Sequence, residues 1–243
     1  MLIVTAAVLT LLILWVASQA VIYLRRIRFS ESLVARSVSA QWVPEAGRKA
    51  IVVLGDSTAV GVGAGSPDHS VAGRIAQHFP GVSVFNYSKS GARARHVMGQ
   101  LDRFPHERAD VVLIQVCAND VVGVHRIDLI ESQLRAVIER AKLLGARIFL
   151  MPGNNFCIAP FFVWPAQPVL TWRALRIHAM LTQLADDAGV DFVDLLCDPK
   201  DDPFAREPRR YYSEDLLHPS AEGYALYFAA LLTKGRLDRY LAS

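Results

Sequence analysis

Ile51-Val52-Val53-Leu54-Gly55-Asp56-Ser57-Thr58 is the stretch on which the fold of this 243-residue chain turns. Four consecutive apolar residues, three of them β-branched, suit a strand buried on both faces, as in a parallel sheet covered by helices. Gly-Asp-Ser-Thr then breaks the run, and Ala59-Val60-Gly61-Val62-Gly63 follows. Working outward, Val82 to Phe85, Val111 to Val116, Ile148 to Met151 and Phe192 to Val193 read as further buried strands. Helical patterns lie between and after them, at Val71 to Phe79, Ile127 to Leu144, Trp172 to Ala188 and Ala221 to Leu232. Gly145 and Gly189 stand where two of these helices should end. The alternation predicts an α/β fold: a three-layer sandwich with a parallel sheet and helices on both faces, whose ligands meet the carboxyl ends of the strands.

Ahead of this domain the chain changes character. Met1 to Leu24 carries no charged side chain and is long enough to cross hydrocarbon as a helix. A cleaved signal peptide would carry its positive charge before the apolar run, whereas here Arg25-Arg26-Ile27-Arg28 follows it. Ser18-Gln19-Ala20 resembles a cleavage site, but the apolar run continues past it, so an uncleaved transmembrane anchor over residues 1–24 is expected. The segment is apolar on all sides, which argues against a helix lying flat on the surface. The trailing arginines predict that the remainder of the chain lies on the cytoplasmic side. Residues 25–49, mixed and polar with Pro44 and Gly47, read as a juxtamembrane linker with some helix near Glu31 to Arg36, and the folded domain is expected over 50–243.

Composition removes several function classes. A formal net charge of +3 with scattered arginines gives no footprint for nucleic acid. Cys117, Cys157 and Cys197 are an odd number, far apart, without the spacing of a zinc site or a disulfide framework. His106-Glu107 lacks a second histidine at helical spacing, so no metal is expected. Gly61-Val62-Gly63-Ala64-Gly65 is not G-x-G-x-x-G and no Walker lysine follows, so no nucleotide cofactor is expected either.

Four short elements sit at the predicted active edge. Ser57, at a strand-to-helix turn, gains an exposed hydroxyl beside free backbone N–H groups that favour developing negative charge, although a serine there is also an ordinary helix cap. Ser88-Lys89-Ser90-Gly91-Ala92 follows the second strand, and Gly91 lets the backbone approach a ligand or simply makes a turn. Cys117-Ala118-Asn119-Asp120 ends the third strand, where Asn119 offers a neutral N–H donor or a cap. Asp215-Leu216-Leu217-His218-Pro219 precedes the last helix and supplies an imidazole with a carboxylate nearby, the pair that activates a serine.

Together, in this order and at strand ends, the four elements resemble the blocks of the SGNH (GDSL-type) hydrolases across Ile51 to about Leu232. The resemblance implies a flavodoxin-like sheet and a serine esterase or lipase needing no cofactor. Ser57 would be the nucleophile and Asp215 and His218 would complete the triad. The backbone N–H of Ser57 would join Gly91 and Asn119 as oxyanion donors. Two departures stand out: Thr58 replaces the leucine of the usual signature, and Cys117 replaces a usual glycine. A non-catalytic membrane-anchored scaffold of the same fold is the competing reading, but such a protein would need none of these five positions.

Two further stretches bear on the substrate. Phe156 to Pro165 is an apolar, proline-containing loop near the active edge, suited to a lid over an acyl pocket, to contact with the bilayer, or to packing on the core. Arg206, Arg209 and Arg210, beside Tyr211 and Tyr212, are candidates for an anionic head group. These features favour a lipid or acyl ester over a small acetyl ester.

Overall fold

The computed structural model describes residues 2–242, so Met1, where the expected anchor begins, and Ser243, where the expected domain ends, lie outside the described residues. Five strands form one sheet: β1 (Lys49–Gly55), β2 (Val82–Asn86), β3 (Val111–Gln115), β4 (Arg147–Leu150) and β5 (Asp191–Phe192). Their spatial order is β2-β1-β3-β4-β5 and every neighbouring pair is parallel. This is the flavodoxin-like order, which reverses direction between β1 and β3 and opens a crevice at their carboxyl ends.

The helices are α1 (Leu2–Arg36), α2 (Ser57–Val60), α3 (Val71–His78), α4 (Ala94–Leu101), α5 (Ala118–Val122), α6 (Ile127–Lys142), α7 (Ala166–Ala188), α8 (Pro203–Arg206), α9 (Pro208–Tyr211), α10 (Ala221–Thr233) and α11 (Asp238–Leu241). Strand side chains alternate between two cores. Val52, Leu54, Val112, Ile114, Ile148 and Leu150 pack against α4, α6 and α7. Ile51, Val53, Val111, Leu113 and Phe149 pack against α3, α10 and α11 on the other face. That is why β1 reads as an unbroken apolar run: both of its faces are covered and Ile51 to Leu54 are fully buried. Burying one such side chain contributes roughly 1.5–3 kcal/mol, so the central strands supply much of the stability.

The N-terminal region departs from the expected division in one respect. α1 runs unbroken from Leu2 through Arg36, so the helix continues past the end of the apolar run into the stretch expected as linker. Among the described residues it is the one helix long and apolar enough to cross a membrane. Its last turns lie on the folded body. The Tyr23 ring meets Phe161 at 5.4 Å, and Arg26 Nη1 donates to the carbonyls of Pro160 and Phe161 at 2.7 and 3.0 Å. Beyond it, Trp42 and Val84 exchange backbone hydrogen bonds, which covers part of the edge strand β2.

Helix α7 starts at Ala166, earlier than the expected Trp172. Pro168 falls in its first turn, where a missing N–H costs nothing. The apolar loop before α7 divides in two: Phe161 and Phe162 are buried, while Trp164 is 70% exposed.

Candidate active site

Backbone geometry at the end of β1 puts Ser57 in the crevice. Gly55 has φ +147°, and a Cβ there would sit 1.8 Å from the carbonyl oxygen of Gln115 on β3, so only glycine fits. Gln100 of α4 secures this turn from behind: its Oε1 accepts from Gly55 N–H at 2.7 Å and its Nε2 donates to the Gly55 carbonyl at 2.9 Å. Asp56 then caps α2, accepting from Thr58 N–H at 3.0 Å, so Ser57 opens the helix with its hydroxyl outward. Burial of the Asp56 carboxyl is the largest influence on it and raises its pKa to about 6, against the opposing pull of the Thr58 N–H.

Residues distant in sequence complete the arrangement. The Ser57 Oγ lies 2.9 Å from His218 Nε2, and His218 Nδ1 lies 2.6 Å from Asp215 Oδ2. Asp215 Oδ1 accepts from the Ser213 hydroxyl at 2.8 Å and from the backbone N–H groups of Leu217 and His218, each at 3.0 Å. Burial alone would raise the Asp215 pKa. The hydrogen bond and charge of His218, with those two N–H groups, outweigh it and hold the carboxyl well below the usual range. It is therefore ionised and oriented toward the imidazole. A serine joined to a carboxylate-oriented imidazole can act as a nucleophile, because the ring can take its proton.

The donors expected around Ser57 line the same cleft. Ser57, Gly91, Asn119 and His218 are all on its wall. Gly91 has φ +78°, and a Cβ there would meet nothing within 4 Å. The backbone N–H groups of Ser57 and Gly91 donate to no protein acceptor among the described residues. One N–H of the Asn119 amide donates to the Ala92 carbonyl at 3.0 Å, which fixes the side chain and leaves its second N–H. Such donors suit an oxyanion.

Cys117 occupies the third block with φ +104°, a left-handed conformation that a glycine would adopt without strain. Burial first, then the charges of Asp120 and Asp56, push its thiol pKa well up, so it is a poor nucleophile. The basic group expected to meet an anionic head group is elsewhere: Arg209 and Arg210 border a separate groove with Gly63 and Glu214, not the cleft of Ser57. No group of three or more metal-ligating side chains occurs among the described residues.

The cleft measures about 590 Å³, a volume typical of small-ligand sites, and it is walled largely by apolar side chains, including Val121, Phe162, Leu175 and Ile177. Sequence reasoning missed one wall entirely. Ile27, Ser30, Glu31, Val34 and Ala35 of α1 also line it. Their spacing of three and four is the only signal they carry, on a segment too polar to attract notice.

Comparison with known proteins agrees with this architecture. A family model described as the GDSL-like lipase/acylhydrolase family matches residues 53–226. A GDSL-like esterase of Mycobacterium tuberculosis is 27% identical over 185 residues, covering 72% of this chain and 58% of that relative's length. Among solved structures, a variant of an acetyl xylan esterase from Geobacillus stearothermophilus superposes with a TM-score of 0.58 at 21% identity, covering 78% of this chain and 95% of that one. A lipase/acylhydrolase from Enterococcus faecalis does so with a TM-score of 0.58 at 22% identity, covering 77% and 96%. At such identities the superpositions speak to the fold. With most of the chain matched by its model, the protein belongs to the GDSL-like lipase/acylhydrolase family.

Proposed function

We propose that this protein is a membrane-anchored serine esterase that hydrolyses carboxylic esters through an acyl-enzyme on Ser57. The observation that carries the reading is the continuous hydrogen-bonded line from Ser57 Oγ to His218 Nε2, at 2.9 Å, and from Nδ1 to the Asp215 carboxylate, at 2.6 Å. In the first half-reaction, His218 Nε2 takes the Ser57 proton as Oγ bonds to the ester carbonyl carbon. The oxygen of the tetrahedral intermediate then carries a negative charge, received by the N–H groups of Ser57, Gly91 and Asn119. Collapse breaks the bond to the alcohol, which leaves with the proton from His218. In the second half-reaction, His218 deprotonates water, water attacks the acyl carbon, and the acid departs as Ser57 regains its proton. Asp215 stays ionised throughout and holds the imidazole in the tautomer and orientation that both steps need.

The anchor is the apolar part of α1. At 1.5 Å per residue its 35 residues reach about 52 Å, whereas a hydrocarbon core needs about 30 Å. The surplus corresponds to the turns from Tyr23 onward that pack on the folded body. The catalytic domain then follows from β1 at residue 49, with 37–48 as the connection.

A fluorophosphonate probe tests the chemistry. Expected is a single adduct on Ser57, absent from Ser57→Ala, with His218→Ala reduced by several decades in ester hydrolysis and the double variant little worse than either single one. Absence of labelling in folded protein would sink the reading in favour of a scaffold, and additive losses would mean that Ser57 and His218 do not act in one step.

A further inference from the structure

The part of α1 beyond the apolar run does more than connect. Ile27, Ser30, Glu31, Val34 and Ala35 recur at helical spacing and border the cleft that holds Ser57 and His218. The apolar members, Ile27, Val34 and Ala35, share it with Leu175, Ile177 and Leu181 of α7. The wall begins close to the end of the membrane segment. Tyr23, in the last turn of that segment, touches Phe161, and Phe161 itself lines the cleft. From Tyr23, Ile27 is about 6 Å along the helix and Ala35 about 18 Å, so on the anchor reading above the near end of the wall falls within the headgroup layer. Large apolar side chains are exposed on the loop after Phe162 and on α7, which also lines the cleft: Trp164 at 70%, Trp172 at 59% and Leu175 at 43%. Aromatic residues with one apolar side favour that layer. Nothing in ester hydrolysis itself calls for a helix from the membrane segment to wall the reaction cleft.

Building on the esterase reading above, we propose that this face of α1 is the acyl-chain wall of the active site. The hydrocarbon chain lies along Ile27, Val34 and Ala35 while its ester carbonyl is at Ser57, and it comes from the bilayer that holds the same helix. The anchor is thus part of the substrate site. The substrate class is a long-chain carboxylic ester embedded in a membrane.

The test uses the full chain in phosphatidylcholine vesicles with para-nitrophenyl acetate and para-nitrophenyl palmitate. Val34→Phe and Ala35→Phe narrow the wall, and each is expected to lower the palmitate-to-acetate ratio of kcat/KM about tenfold or more, the scale of a lost methylene contact. Ser32→Phe, on the exposed side of α1, is expected to leave the ratio at its wild-type value. Unchanged ratios in the wall variants, with acetate still hydrolysed, would overturn the wall and leave the esterase reading standing; a wild-type chain inert on both esters would remove the esterase reading and the wall with it. Should the phenylalanine variants fold poorly, an alkyl fluorophosphonate with a terminal diazirine gives a second measurement on the wild type. Once phosphorus has bonded to Ser57 Oγ and fluoride has left, illumination is expected to place adducts on residues 27–35, and adducts confined to other segments would overturn the wall. Palmitate ester in the enzyme's own vesicles should react about tenfold faster than the same ester in separate vesicles, and equal rates would overturn the bilayer as its source.

Discussion

Cys117 shows how one residue records a constraint that its own chemistry does not suit. At φ +104° it sits where an L side chain is strained by about 1–3 kcal/mol, and the buried setting of β3 and α5 holds it there. A β-branched side chain tolerates this conformation worst. Cys117→Val should therefore lower stability by about 2 kcal/mol or more in urea unfolding, while Cys117→Gly should cost little, because relieved strain offsets the lost thiol contacts. Similar losses for both would mean that packing, not backbone strain, governs the position. Asp56 makes a prediction of a different kind. Its folded pKa of about 6 exceeds the ordinary 3.8, so the folded state binds this proton more tightly than the unfolded state. Stability from this group is accordingly complete below about pH 4 and declines as pH rises through 6, by about 3 kcal/mol in all. Asp56→Asn keeps an acceptor for Thr58 N–H but cannot titrate. Its stability relative to wild type should rise across that window, and a flat difference between the two pH profiles would refute the assignment. Asp215 has the opposite sign: its lowered pKa contributes stability at neutral pH that is lost on acidification.

Among the elements, α1 and the loop before α7 are joined by a contact that deletes cleanly. Arg26 Nη1 serves two carbonyls, those of Pro160 and Phe161, and hydrogen bonds from a charged donor are worth about 1.5–3 kcal/mol each to the groups they tie. Arg26→Ala should free the turns of α1 after Tyr23 from the body without disturbing the sheet. Hydrogen exchange would register this as faster exchange at residues 27–36 with unchanged protection in β1 and β3. Equal acceleration in the strands would instead make Arg26 a support of the whole fold. The same loop is tied on its far side to the turn between Asp215 and His218, since Phe161 N–H donates to the Leu216 carbonyl at 3.1 Å. Loosening it should therefore be felt at His218 as a lower kcat, with Ser57 still labelled by the probe.

For the whole molecule, anchor and chemistry should come apart only in part. A chain beginning at Tyr23 keeps the Phe161 contact, the Arg26 clasp and the α1 wall while losing the hydrocarbon span. It should move from the membrane to the soluble fraction, keep its activity on para-nitrophenyl acetate, and lose activity on a vesicle-borne ester, because tethering raises local concentration. Equal activity on both substrates before and after truncation would remove the case for a membrane ester.

Much of this was open to reading in one dimension. The runs Ile51 to Leu54 and Val111 to Ile114 announce strands buried on both faces, since a half-exposed strand would alternate with polar residues. Gly189 ends α7 in the left-handed conformation expected of a glycine at that place. Ser57, Gly91, Asn119, Asp215 and His218 could be picked out because each block is local and stands at the end of a strand or before a helix. Local pattern carries no information about which surfaces meet. Only the fold brings His218 Nε2 to Ser57 across 161 residues of chain, sends Arg209 and Arg210 to a groove of their own, and lays α1 along the cleft. Residues 27–35 pack through a face that mixes apolar, hydroxyl and acidic side chains, so a spacing of three and four is all that marks it. Its place is decided by the Tyr23 and Arg26 contacts with a loop more than a hundred residues away. Contacts of that range exist only once the sheet has set the loop's position, which is why the sequence alone brought forward the candidate residues at the strand ends and tertiary structure decided what surrounds them.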